Sequence, residues 1–113
     1  MIPPVGLSAG NCSQVRQLDA LAKLTGLQRL NCENTGISSL EALSGMINLQ
    51  YLNCAGTQVD SLGALSSARS LRVLNIDKTS VSSLMPLNSI AGIQRLSCES
   101  TPIQEEKVIQ FIR

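Results

Sequence analysis

Histidine and tryptophan are missing from this 113-residue chain, and Tyr51 and Phe111 are its only aromatic residues. Without an imidazole, the usual general base and the usual partner of a nucleophilic Ser or Cys are both gone, and no enzyme is expected. With so few rings, the core has to be built from Leu, Ile, Val, Ala and Cys, which favours many small, similar layers. Blocks of like charge are also absent: nine basic and eight acidic side chains are scattered and cancel to +1. No polybasic stripe is there to neutralise phosphates, which argues against nucleic acid or an anionic membrane as partner. No apolar run approaches the roughly 18 residues that span a bilayer. The opening MIPPVGLSAG has two prolines and no Lys or Arg ahead of its apolar residues, so neither a signal peptide nor an anchor is read there. The length suits one domain over residues 1–113, expected to be monomeric.

What the chain does have is a repeat. LQRLNCENTGISSLEALSGMIN (27–48), LQYLNCAGTQVDSLGALSSARS (49–70) and LRVLNIDKTSVSSLMPLNSIAG (71–92) align without a gap at a period of 22, and IQRLSCESTPI keeps the register from Ile93. Each apolar column is uniform. Leu27, Leu49, Leu71 and Ile93 form one; Leu30, Leu52, Leu74 and Leu96 a second; Cys32, Cys54, Ile76 and Cys98 a third; Ile37, Val59, Val81 and Ile103 a fourth. Leu18, Leu40, Leu62 and Leu84 then Leu21, Leu43, Leu65 and Leu87 follow, with a looser column of Leu24, Met46, Ala68 and Ile90. These positions are the inward layer of every coil.

Leu30 and Cys32 are two apart, which puts both on one face of a short β-strand and turns Arg29, Asn31 and Glu33 the other way. Equivalent strands stacked in parallel make a ribbon-like sheet paved by those alternate residues. The SSLEAL-type stretch that follows has apolar residues three apart and fits a short 3₁₀ or α turn on the opposite side.

The pattern LxxLxxxxxTxIxxLxxL, over about residues 15–103, resembles the leucine-rich repeat family, in the 22-residue class of bacterial internalins and a phosphatase regulatory subunit. The resemblance implies an α/β fold: a right-handed solenoid with a parallel β-sheet on the concave face, short 3₁₀/α turns on the convex face and a C-terminal capping helix. It also implies a binding module for a protein partner rather than a catalyst. Two columns depart from the family pattern: the third Leu is Cys or Ile, and the customary Asn is Thr35, Thr57, Thr79 and Thr101. In the family the Asn ladder satisfies backbone groups at the bend after the strand, where an unpaired buried group costs roughly 1–3 kcal/mol. A threonine hydroxyl can donate and accept over a shorter reach, so an inward threonine ladder with the same task is expected.

Both ends look atypical, as the ends of a solenoid must. Val15, Leu18, Leu21 and Leu24 keep register, but Asn11-Cys12 lies 20 residues before Asn31-Cys32, two short of the period, so residues 1–26 read as an irregular first coil. The last repeat, 93–113, turns at Thr101-Pro102 into a helix start with Thr101 as N-cap, Pro102 in the first turn and Glu105 and Glu106 near the positive dipole end. Val108, Ile109 and Ile112 would share its inner face.

Glu33 and Glu99 stand three repeats apart, about 14 Å at strand spacing, too far for paired acid–base work. Cys32, Cys54 and Cys98 are spread along the solenoid axis, and Ile76 fills the same column, so a plain hydrophobe suffices there. Buried free thiols are therefore expected, with neither metal nor cofactor, and they suit a reducing, cytoplasmic setting; a secreted effector or surface protein is the alternative. Sequence variety concentrates on the outward strand positions: Arg29, Asn31, Glu33; Tyr51, Asn53, Ala55; Val73, Asn75, Asp77; Arg95, Ser97, Glu99. Mixed charge around Tyr51 and Val73 suits a protein-binding face, with Tyr51 as anchor. Two other readings stay open: a merely solvated face whose Asn row pairs along the stack, and a structural or targeting segment of a larger adhesin or effector.

Overall fold

A computed structural model describes residues 6–8, 23 and 26–103. Five short strands, β1 (Gly6–Ser8), β2 (Arg29–Asn31), β3 (Tyr51–Asn53), β4 (Val73–Asn75) and β5 (Arg95–Ser97), lie side by side in chain order in one parallel sheet. From β2 onward every strand pairs with its neighbour at the repeat offset: Leu30 opposite Leu52, Leu52 opposite Leu74, Leu74 opposite Leu96. A parallel connection between neighbouring strands needs a full coil of chain, which the rest of each repeat supplies. Behind the sheet run 3₁₀ turns at Glu41–Leu43, Gly63–Ser67 and Met85–Ser89. This is the expected coil, with strands on one side and 3₁₀ turns on the other.

The columns account for the core. Leu27, Leu49 and Leu71, then Cys32, Cys54 and Ile76, and Leu43, Leu65 and Leu87 are all fully buried. Each 3₁₀ turn is tied by its own N–H to C=O bonds, from Leu43 to Leu40, Leu65 to Leu62 and Leu87 to Leu84. The serine before that leucine explains the repeated SSL: Oγ of Ser39, Ser61 and Ser83 accepts the N–H of Glu41, Gly63 and Met85 at 3.1, 3.1 and 3.2 Å. The side chain thus satisfies one of the donors that a turn leaves open at its start.

The bend after each strand is tighter than the columns alone convey. Asn34, Gly56, Lys78 and Ser100, again one period apart, all have positive φ, between 54° and 69°. That left-handed residue swings the next position inward, and the threonine there donates its hydroxyl to the carbonyl three residues back. Thr35 reaches Cys32, Thr57 reaches Cys54 and Thr79 reaches Ile76 at 2.7 Å, and Thr101 reaches Cys98 at 2.6 Å. The threonine ladder has the expected structural task, performed within each coil. Coil-to-coil bonding is left to the backbone, where the N–H groups of Cys32 and Asn34 reach the carbonyls of Asn53 and Ala55, and the pattern repeats at Cys54 and Gly56.

The start of the stack differs from expectation. Leu7 pairs with Leu30, an offset of 23, so the edge strand is Gly6–Ser8 and the first coil is one residue longer than the period. The reading of a coil two residues short, from Asn11-Cys12, had followed an Asn-Cys match where strand pairing follows backbone geometry. In place of the helix start expected at Thr101 and Pro102, both residues form a bend and Ile103 is irregular, because the Thr101 hydroxyl is turned back to the Cys98 carbonyl as in the other coils. Cys12, Val15, Leu18, Leu21 and Leu24 lie outside the described residues, and so does the rest of the expected capping helix, with Glu105, Glu106, Val108, Ile109 and Ile112.

Candidate functional site

The outward face of β2 to β5 divides along its length into two rims. At the C-terminal ends of the strands the polar side chains are occupied by the protein itself. Oδ1 of Asn31, Asn53 and Asn75 accepts the N–H two residues on, from Glu33, Ala55 and Asp77, at 3.1, 3.1 and 2.9 Å. The Asn side chain thus closes a small turn that starts the bend. The Glu33 carboxylate then accepts from the side-chain amides of Asn31 and Asn53, each at 3.4 Å. Where the fourth repeat has Ser97 in the Asn column, the shorter side chain turns to its neighbour. Asp77 Oδ1 accepts the Ser97 hydroxyl at 2.6 Å and the Glu99 N–H at 2.7 Å, doing across the stack what an asparagine does within a coil.

Six of the expected contact residues, Asn31, Asn53, Asn75, Ser97, Glu33 and Asp77, are therefore engaged within the solenoid. Asn53 is also buried, at 8% exposure, where an open polar row was expected. It sits between two coils whose own side chains cover it.

The other rim is different. Arg29, Tyr51, Val73 and Arg95 stand in one line across the sheet by strand register. They line a groove of about 450 Å³ with Gln50, Arg72 and Gln94. Arg29, Arg72 and Arg95 are exposed and Tyr51 and Val73 half-buried, and no acidic side chain lines the groove. Among the described residues, none of the three guanidinium groups is paired with a carboxylate. Alternation missed Gln50, Arg72 and Gln94, because a residue two before an inward leucine should itself point inward. The chain is still turning there: Gln28 O accepts from both Gln50 and Tyr51, and Gln50 O from both Arg72 and Val73. That shared acceptor leaves these side chains exposed at the rim. A polar column next to the first leucine of each repeat was the available signal.

Beneath the C-terminal rim, Cys32 and Cys54 are buried free thiols, and Cys98 is a half-buried one. Burial pushes the Cys32 thiol up to about 12. It raises Cys54 further, with the adjacent Cys32 adding to the effect, and raises Cys98 with a contribution from Asp77. A thiol held protonated is a poor nucleophile and a poor ligand. No cluster of three metal-ligating side chains occurs among the described residues, and none of their helices is long and apolar enough to cross a membrane.

No family profile matches the sequence, and no curated protein does either. Solved structures do. An internalin C2 from Listeria monocytogenes is 27% identical and superposes with a TM-score of 0.83, over 88% of this chain and 44% of that one. A second Listeria monocytogenes internalin, inlF, is 21% identical with a TM-score of 0.80, over 88% of this chain and 29% of that one. A leucine-rich repeat protein of Leptospira interrogans is 20% identical with a TM-score of 0.76, over 86% of this chain and 26% of that one. The chain thus spans less than half the length of each. With a 22-residue period, a parallel strand in each coil, 3₁₀ turns behind the sheet and this likeness, the chain has the fold of a leucine-rich repeat solenoid.

Proposed function

We propose that this chain is a protein-interaction module that docks its partner on the concave sheet face, along the groove of Arg29, Tyr51, Val73 and Arg95. One observation carries the reading: on a face where six other polar side chains are consumed internally, the two arginines of this line are unpaired with any carboxylate among the described residues and flank an aromatic ring. Tyr and Arg concentrate binding energy because they offer large contact area and several donors at low cost in ordering. A charge-reversed or truncated groove (Arg95→Glu, Tyr51→Ala) with unchanged circular dichroism should lose capture of the native partner. Capture that persists when the whole rim is reversed would remove the site from this face.

The alternative, a structural or targeting segment of a larger protein, draws support from the 44% share of the internalin that this chain spans. It predicts that the groove variants leave the biological role of a full-length parent intact. Fully buried Cys32 and Cys54 favour a reducing compartment, because such thiols gain nothing from an oxidising one. Titration in denaturant that found these thiols already oxidised would remove that argument.

A further inference from the structure

The docking surface has a chemistry that narrows what it can hold. We infer that the groove recognises an extended acidic protein segment with two carboxylates four residues apart and an apolar side chain midway, lying along the solenoid axis. The inference rests on the concave-face reading above and specifies its ligand.

Arg29 and Arg95 close the two ends of the line and Tyr51 and Val73 fill its middle. Three strand steps at about 4.8 Å put the end columns roughly 14 Å apart. An extended chain rises about 3.4 Å per residue and turns every second side chain the same way, so residues i and i+4 span the same length, about 14 Å, with i+2 facing inward between them. Carboxylates at i and i+4 would each meet a guanidinium, whose planar fork suits bidentate pairing. The residue at i+2 would lie over Tyr51 and Val73, and Arg72 stands on the rim beside it as a third donor. Gln50 and Gln94 offer amides to the backbone of the segment.

The opposite rim explains why the ligand is a short acidic segment and not a long polyanion. Glu33, Asp77 and Glu99 stand across the same sheet, and the whole chain carries a net charge of only +1. A nucleic acid or sulfated polysaccharide crossing the face would meet three cations and then three anions. Three phosphate contacts alone also release few counterions, which leaves a polyanion only weakly held.

The test uses the full chain and a fluorescein-labelled peptide with glutamates at i and i+4 and leucine at i+2, followed by fluorescence polarisation. Affinity should fall tenfold or more when the glutamates are made adjacent, when both become glutamine, or when the protein carries Arg29→Glu with Arg95→Glu. Arg69→Glu, an exposed arginine outside the groove, should change nothing. A lysine-for-glutamate peptide should bind the reversed protein better than the wild type. Indifference to glutamate spacing, or tighter binding of a heparin fragment of matched charge, would overturn the inference. Selection of a random peptide library separates this failure from failure of the docking reading. Binders lost on Tyr51→Ala but lacking the acidic spacing sink only the ligand assignment, whereas a library with no binder sensitive to any concave substitution sinks both.

Discussion

The two rims of the concave sheet are built from the same strands, one residue either side of the same buried leucines, yet they spend their side chains differently. At the C-terminal rim, Asn31, Asn53 and Asn75 hold the backbone of their own bends, and Glu33 and Asp77 tie neighbouring coils together. At the N-terminal rim the backbone ladder is already satisfied by Gln28, Gln50 and Arg72 carbonyls, so the side chains have no structural duty. A rim beside a sharp bend has donors and acceptors left over, and polar side chains are drawn in to satisfy them. At the entry to each strand one carbonyl accepts two N–H groups of the next coil, so no backbone donor is left over and the side chains there have none to satisfy.

That contrast can be broken from either side. The largest expected effect concerns the thiols under the bend rim. Their folded-state pKa values lie above the ordinary thiol value of 9.0. The stability they lend is therefore fully present below pH 9, and it is lost as pH rises towards the folded value, because the unfolded chain ionises first. The loss is roughly 1.4 kcal/mol per pH unit per thiol. Urea unfolding between pH 9 and 11 should show it, and Cys32→Val with Cys54→Val should flatten the slope; a wild type with no slope contradicts this account.

Next comes the ladder. Thr57→Val strips the buried Cys54 carbonyl of its 2.7 Å donor and should cost about 1–3 kcal/mol by chemical denaturation, with Thr57→Ser recovering part of it. Gly56→Ala should follow, at roughly 1–2 kcal/mol, because position 56 has φ +69° and a Cβ there would crowd the Asn34 side chain. Gly56→Asn should be milder than other replacements, since asparagine tolerates this region, as Asn34 does one coil earlier. The smallest effects belong to the other rim: Arg29→Ala and Arg72→Ala should change stability by less than about 0.5 kcal/mol. A loss of 2 kcal/mol at either arginine would give this rim a structural duty and dissolve the contrast.

Much of the coil was legible beforehand, because inward positions are set by side-chain volume and hydrophobicity, which the one-dimensional pattern records. Leu30, Cys32, Ile37, Leu40 and Leu43 are buried where the columns put them, and the Thr35 to Thr101 ladder points inward. The left-handed column was not legible, since Asn34, Gly56, Lys78 and Ser100 share no chemistry, only a backbone angle that the strand-to-turn geometry imposes. For the site, Arg29, Tyr51, Val73 and Arg95 were found by alternation, while Gln50, Arg72 and Gln94 were missed because alternation ends where the chain is still turning. Nor could the pattern divide the outward residues into engaged and free ones.

By itself the sequence determined the period, the identity of every buried column and the presence of a strand in each coil, because burial is a property that each residue carries into any fold of this repeat. Tertiary structure alone decided which polar residues are consumed. Whether Asn53 or Asp77 is available depends on the bend two residues on and on the coil 22 residues away. Hydrogen bonds are settled by distance and direction between groups remote in sequence, and those exist only once the coils are stacked.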